Sequence, residues 1–221
     1  EPRWGWKWWF LGVVVLGGAV PRSSWQWLVL RMVVYWFSGL LYYWFTMSKD
    51  YAILASGCFW CTEGALIGLK GTLEIIPGYA GGHIDNPTYE QVCTQKTGHA
   101  EVVKVSFDTE LISRRQILEV FFTSHDPTQI NRQGNDIGTH YRSIVLYNSE
   151  EQKDEIKQVI EDLSSHFDSP IVTEVKELEK FWMAEKYHHE YFFKNPQNPY
   201  CQVVVAPKIA KTRARHAGLY E

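Results

Sequence analysis

The pattern of hydrophobic and polar positions divides the chain near residue 47. Upstream, apolar residues dominate two runs, Phe10 to Val20 and Trp25 to Met47, parted by Pro21-Arg22-Ser23-Ser24. The second run carries one charge, Arg31, and is long enough for a membrane helix with tryptophans and tyrosines as interfacial anchors. The first run is too short to span a bilayer by itself. It also lacks the order of a signal peptide, because tryptophans precede its apolar core and no clear small-residue cleavage site follows. Two accounts of residues 1–46 therefore stand. They are an anchor or hairpin, with Arg31 snorkelling or facing protein, or an incorrectly extended reading frame ahead of a true start at Met47.

Downstream the pattern shortens and alternates. Tyr51 to Ala55 predicts a buried strand and 59–69 a helix ended by Gly71, followed by a strand over 72–76. Pro77-Gly78-Tyr79-Ala80-Gly81-Gly82 predicts tight turns or close approach to a ligand. Glu101 to Phe107 alternates as a strand, with Glu101 on the parity of Val103, Val105 and Phe107. Ser113 with Gln116, and Ser149 with Gln152, predict capping boxes for two helices. Between those helices lie a polar loop over 125–136 and a strand over 143–147. A further strand is expected over 171–175, and Asn198-Pro199-Tyr200-Cys201 opens a late apolar strand. Lys208, Lys211, Arg213 and Arg215 follow as a solvated basic tail. This order predicts an α+β fold for residues 47–221, a two-layer sandwich with a central mixed sheet.

Charge and cysteine usage narrow the function. Residues 1–48 hold four basic groups and one acid. Subtracting that +3 from the chain's formal net charge of -3 leaves about -6 for the remainder, which argues against a nucleic-acid partner. The basic tail is too short to reverse that. Four cysteines (Cys58, Cys61, Cys93, Cys201) are few for a disulfide-stabilised secreted domain. The Cys58-x-x-Cys61 pair reads as redox chemistry or as half of a metal site, but no second such pair exists. The adjacent His188 and His189 suit hydrogen bonding or packing better than ligation. No bound metal or cofactor is expected.

Gly57-Cys58-Phe59-Trp60-Cys61 is the stretch with chemistry. It sets Cys58 where a strand hands over to a helix N-terminus, whose free N–H groups and dipole favour a thiolate. Phe59 and Trp60 supply an apolar wall beside the sulfur. Glu101, at the end of an apolar strand face, has a raised pKa if desolvated. A buried structural cysteine and a solvated edge glutamate are the plain alternatives.

The chain resembles the peptide methionine sulfoxide reductase A family from Asp50 to Lys208. The resemblance rests on Gly57-Cys58-Phe59-Trp60, Gly78-Tyr79-Ala80-Gly81-Gly82, Thr97-Gly98-His99-Ala100-Glu101-Val102 and His125-Asp126-Pro127-Thr128. It extends through Asn131-Arg132-Gln133-Gly134-Asn135-Asp136, Tyr141-Arg142-Ser143 and Ala184-Glu185-Lys186-Tyr187-His188. No comparable motif precedes Met47. The resemblance implies thiol-dependent reduction of the S epimer of methionine sulfoxide, free or in proteins, through a sulfenic acid on Cys58. It implies that Cys58 attacks sulfur, that Glu101 protonates the oxygen, and that Tyr89 and Tyr141 hold that oxygen. Asp136 would organise the polar site, and Phe59 and Trp60 would enclose the methyl group. Thioredoxin or another dithiol would be the reductant. Cys201 is favoured as resolving thiol, with Cys61 as the other candidate, and His140 stands where glutamine is usual. A monomer in the cytoplasm is expected, or a membrane-anchored protein if residues 1–46 are authentic. Two competing readings are a general CxxC thiol-disulfide oxidoreductase and a non-catalytic methionine-sulfoxide-binding module.

Overall fold

The computed structural model describes residues 49–221, so the expectations for residues 1–46 lie outside the described residues. A six-stranded sheet has the order β7-β6-β1-β3-β2-β8. Its strands are β1 (Lys49–Ser56), β2 (Thr72–Ala80), β3 (Ala100–Asp108), β6 (Ser143–Tyr147), β7 (Glu174–Glu177) and β8 (Phe181–Met183). Only the β6–β7 pair is parallel, which makes the sheet mixed. A small hairpin joins β4 (Arg132–Gln133) to β5 (Asp136–Ile137).

Alternation along the strands fills two cores. Ala52 and Leu54 of β1, with Val103, Val105 and Phe107 of β3, face the helices α1 (Phe59–Leu66) and α3 (Arg114–Ser124). Ile53, Ala55, Ala100 and Val102 point to the other face, where Ile144, Leu146, Leu178 and Phe181 meet them. Burial on both faces explains why β1 reads as a continuous apolar run. Glu101 shares the helix-side parity of Val103, so a carboxyl enters the edge of the larger core.

Ser113 and Gln116 form the reciprocal cap on α3. On α4 (Glu150–Ser164), Ser149 accepts from the Gln152 N–H, but the Gln152 side chain reaches the Asn148 N–H instead of Ser149. α1 stops at Leu66, earlier than the expected end, because Ile67 turns extended.

Three expected elements differ. Pro77 to Ala80 continues β2 instead of turning, and its glycine serves a strand contact: a Cβ on Gly78 would lie 2.4 Å from the Trp182 carbonyl of β8. The strand expected over 171–175 begins at Glu174, since the Val172 N–H is taken by the Pro127 carbonyl of the polar loop. The late apolar strand is a π-helical turn, Cys201–Val205, running into α6 (Ala206–Arg215). Burial of Cys201, Val205, Ile209 and Thr212 at helical spacing outweighs the strand preference of three valines. The basic residues of the expected tail ride on this helix, and Arg213 donates to the Ile67 carbonyl.

Candidate active site

Cys58 is the N-cap of α1, entered from β1 through Gly57 at φ +96°. Gly57 lies under the polar loop, where Gln133 bonds both the N–H and the carbonyl of Asp126. A Cβ on residue 57 would come within 2.6 Å of the Gln133 side chain. The strand-to-helix turn and the loop are thus locked together, and the sulfur is held between them.

A cavity of about 190 Å³ opens on that sulfur, lined by Cys58, Phe59, Trp60, Tyr89, Glu101, Asp136, Tyr141 and Tyr200. It unites seven of the nine candidate residues read from the sequence. The remaining two, Cys61 and Cys201, are buried beside it. Cys58 and Cys61 shift each other's titration, and Cys201 sits close enough for Cys58 to act on it. Larger cavities exist, one of about 470 Å³ around Ile67, His189 and Lys194, but none of its lining residues is a nucleophile facing an acid.

The carboxyl of Glu101 is 1 % exposed, and its Oε2 accepts the Phe59 N–H at 3.0 Å. Burial first, then the neighbouring Cys58 and Asp136, hold its pKa well above the usual carboxylate range, with the Phe59 N–H working against them. The site therefore favours the protonated form of Glu101. Tyr89 opens α2 (Tyr89–Cys93), which carries a reciprocal Thr88–Gln91 cap. Tyr141 closes a 3₁₀ turn over Thr139–Tyr141. Burial, followed by Glu101, pushes both phenols upward, so they remain hydrogen-bond donors.

Burial also governs the nucleophile. Cys58 is raised by desolvation first and by Cys61 next, while the Trp60 N–H and the Tyr200 hydroxyl pull it down. Burial thus favours the thiol and works against the thiolate expected at the helix N-terminus. Cys61 is lowered, chiefly by Cys58 and then by Lys208, against the cost of burial.

Tyr200 is the functional residue that the sequence pattern does not single out. Its hydroxyl donates to Asp136 Oδ2 at 2.8 Å and lies in hydrogen-bonding reach of Cys58. Sixty-four positions separate Tyr200 from Asp136, and the one local signal is its place beside Cys201. His140 does not line the cavity but packs its ring 3.9 Å from that of Tyr141. Cys93 is exposed and outside the lining. His188 and His189 bond to Trp60 and to the Ala184 carbonyl, as packing residues do. Among the described residues no three His, Cys, Asp or Glu side chains cluster to hold a metal.

The family model described as peptide methionine sulfoxide reductase matches residues 50–219. The peptide methionine sulfoxide reductase MsrA of Saccharolobus solfataricus is 52% identical over 162 residues, 73% of this chain and 92% of that protein. The corresponding protein of Trichodesmium erythraeum is 54% identical over 166 residues, 74% of this chain and 94% of its own. Among solved structures, the reduced form of Mxr1 from Saccharomyces cerevisiae superposes with a TM-score of 0.66 at 33% identity, over 71% of this chain and 91% of that one. Methionine sulfoxide reductase A of Corynebacterium diphtheriae gives 0.63 at 30% identity, over 69% and 78%.

Proposed function

This chain belongs to the peptide methionine sulfoxide reductase A family, an enzyme of thiol-based methionine sulfoxide reduction, and on that premise we propose how its residues share the work. The carrying observation is one small cavity that meets a sulfur nucleophile, a carboxylic acid, two phenol donors and an apolar wall. The sulfoxide oxygen lies toward Glu101, Tyr89 and Tyr141, and the methyl group toward Phe59 and Trp60. Fixing oxygen and methyl on opposite walls leaves one handedness at sulfur that presents its face to Cys58, and the S epimer is the one accepted.

Glu101 gives its proton to the oxygen as the Cys58 sulfur attacks the sulfoxide sulfur. The S–O bond to the substrate breaks and the oxygen leaves as water from the S–S adduct. A water then adds to the Cys58 sulfur, the S–S bond breaks, methionine leaves, and Cys58 is left as a sulfenic acid. The thiol proton of Cys58 returns to Glu101, so the carboxyl is unchanged after one reduction. Asp136 fixes the Tyr200 hydroxyl, which supports the sulfur as charge develops on it.

The resolving thiol then attacks the sulfenic sulfur, water leaves and a disulfide forms. The mutual influence of Cys58 and Cys61, with the Cys61 thiol lowered, supports Cys61 in this role. Cys201, buried on its π-helical turn, is the other candidate. Thioredoxin or a similar dithiol reduces the disulfide, with oxidised proteins, peptides and free methionine sulfoxide as substrates. The cytoplasm is the compartment where such dithiols are maintained. Among the described residues no helix is long and apolar enough to cross a membrane.

The test is thioredoxin-coupled reduction of separated S and R epimers of a methionine-sulfoxide peptide by the full chain. Turnover confined to the S epimer and abolished in Cys58→Ser is expected. In Cys61→Ser, one reduction per enzyme should survive while recycling fails. If that failure appears in Cys201→Ser instead, the assignment moves to Cys201. Absence of reduction by folded wild type with excess dithiol would overturn the enzyme mechanism.

A further inference from the structure

We propose that His188 is a positioning residue that holds the Trp60 indole as the methyl-side wall, with Glu185 selecting the tautomer this requires. The proposal rests on the reading of Phe59 and Trp60 as the substrate wall.

Two contacts fix the indole. Tyr191, the first residue of α5 (Tyr191–Lys194), stacks on it at 3.7 Å between centroids and 6° between planes. That contact sets the plane but leaves the ring free to slide and turn within it. The second contact is directional: Trp60 Nε1–H donates to His188 Nδ1 at 3.2 Å. His188 is 1 % exposed and does not line the cavity. Its ring lies behind the lining, 4.8 Å from Phe59 and 4.5 Å from Tyr89.

An Nδ1 that accepts carries no proton, so the neutral ring bears its hydrogen on Nε2. That nitrogen has no hydrogen-bond partner among the described residues and lies 3.9 Å from Glu185 Oε2. The distance is too long for a hydrogen bond. It is short enough, in a buried setting, for the carboxylate to favour the tautomer whose N–H faces it. Burial lowers His188 to about 4, which keeps the acceptor available near neutrality, with Glu185 and Glu90 opposing that shift and His189 adding to it.

Glu185 is itself anchored on the second wall. Its Oε1 accepts the Tyr89 N–H at 2.9 Å and its Oε2 the Tyr79 hydroxyl at 2.8 Å. One carboxylate thus fixes the start of the helix that presents Tyr89 and the histidine that orients Trp60. The apolar and oxygen-binding walls are registered to each other through Glu185 and His188, two residues that line neither.

The experiment compares His188→Asn with His188→Leu. Asparagine can present its side-chain oxygen where Nδ1 stood, and leucine fills volume without an acceptor. Each folded variant is assayed with S-epimer peptides carrying a methyl or an ethyl sulfoxide. The Trp60 indole resonance is followed by ¹⁵N–¹H NMR, assigned through its loss in Trp60→Phe. One neutral hydrogen bond corresponds to roughly a 10-fold effect. His188→Leu should raise KM for the methyl substrate by about 10-fold with kcat within about 3-fold, narrow the methyl-over-ethyl preference, and shift the indole resonance. His188→Asn should restore all three.

An unchanged indole resonance and methyl preference in folded His188→Leu would overturn the proposal. So would equal losses in both variants, because packing and not acceptance would then be at work. If wild type reduced no sulfoxide, the functional reading would fall, while the indole resonance would still report on the His188–Trp60 contact.

Discussion

Replacing Glu101 by glutamine separates its two functions, because the amide retains a hydrogen-bonding group and loses the transferable proton. In the wild type, Oε2 caps the first N–H of α1 through Phe59 at 3.0 Å. A glutamine amide oxygen can take over that bond, so the turn presenting Cys58 should survive. What remains toward the ligand is an NH₂ group, which donates to the sulfoxide oxygen but cannot protonate it. General acid catalysis contributes on the order of 10²–10⁴-fold. A retained neutral hydrogen bond is worth about one decade. The expected loss is therefore about 10–10³-fold, or about 1–4 kcal/mol at 1.36 kcal/mol per decade.

The assay is single-turnover formation of methionine with enzyme in excess, so that recycling does not enter. Binding of the S-sulfoxide peptide, measured separately, should change only a few-fold. The pH profile supplies the second readout. Burial and the adjacent Cys58 raise Glu101, so its protonated, active form extends above the usual carboxylate range and is lost as pH rises through the raised value. Wild type should show that alkaline fall, and Glu101→Gln should lack it. A folded glutamine variant within 10-fold of wild type, or one that keeps the alkaline fall, would refute the acid role.

Two further substitutions test the scaffold. Glu63, buried in α1, accepts the Glu190 N–H at 2.7 Å and is raised from 4.5 to about 7 by burial, against the Glu190 and Tyr191 N–H groups. A folded-state pKa above the unfolded one gives stability that is full below about 4.5 and lost as pH rises through about 7. The difference corresponds to about 3 kcal/mol, so Glu63→Gln should flatten the change in urea-unfolding free energy between pH 5 and pH 8; an unchanged slope would count against it. Gly57→Ala combines a φ of +96° with a 2.6 Å approach to Gln133, and should cost about 2–4 kcal/mol in urea unfolding. It should also lower single-turnover activity by displacing Cys58, and a variant with wild-type stability would show that the turn is not locked.

How much the sequence reveals depends on how local each determinant is. β1 and β3 are legible because alternation is written residue by residue, and the shared parity of Glu101 and Val103 is enough to put the carboxyl on the helix side. The cap at Ser113 is likewise settled within four residues. The π-helical turn and α6 read wrongly because three consecutive valines favour a strand, whereas the deciding contacts are with α1 and α3, far away in sequence. Gly78 reads wrongly for the same reason, since the group that needs its missing Cβ is the Trp182 carbonyl. In the site, motif resemblance recovers the residues that line the cavity around Cys58, Tyr200 excepted. Tyr200 and Glu63 escape it, and Glu185 falls in a motif without a role attached, because their partners lie 64, 127 and 96 positions away.

The protonation state of Cys58 shows why position in a motif is not yet chemistry. A helix N-terminus favours an anion by roughly 0.3–1 kcal/mol, up to about 2 when partly buried. Hydrogen bonds to a charged group add about 1.5–3 kcal/mol. Both are present at Cys58, yet full withdrawal from water costs an ion several kcal/mol, and the net shift is upward. Glu101 faces the same penalty in the same cavity, and each anion would raise the other. Burial therefore favours the protonated form of both acids. In the proposed mechanism a sulfoxide changes that balance, since its oxygen brings a proton acceptor to face Glu101. Once Glu101 has given its proton to the oxygen, the carboxylate left beside Cys58 can take the thiol proton as the sulfur attacks. Burial thus does more than shield the nucleophile: it ties formation of the reactive sulfur to the presence of the group that the sulfur reduces.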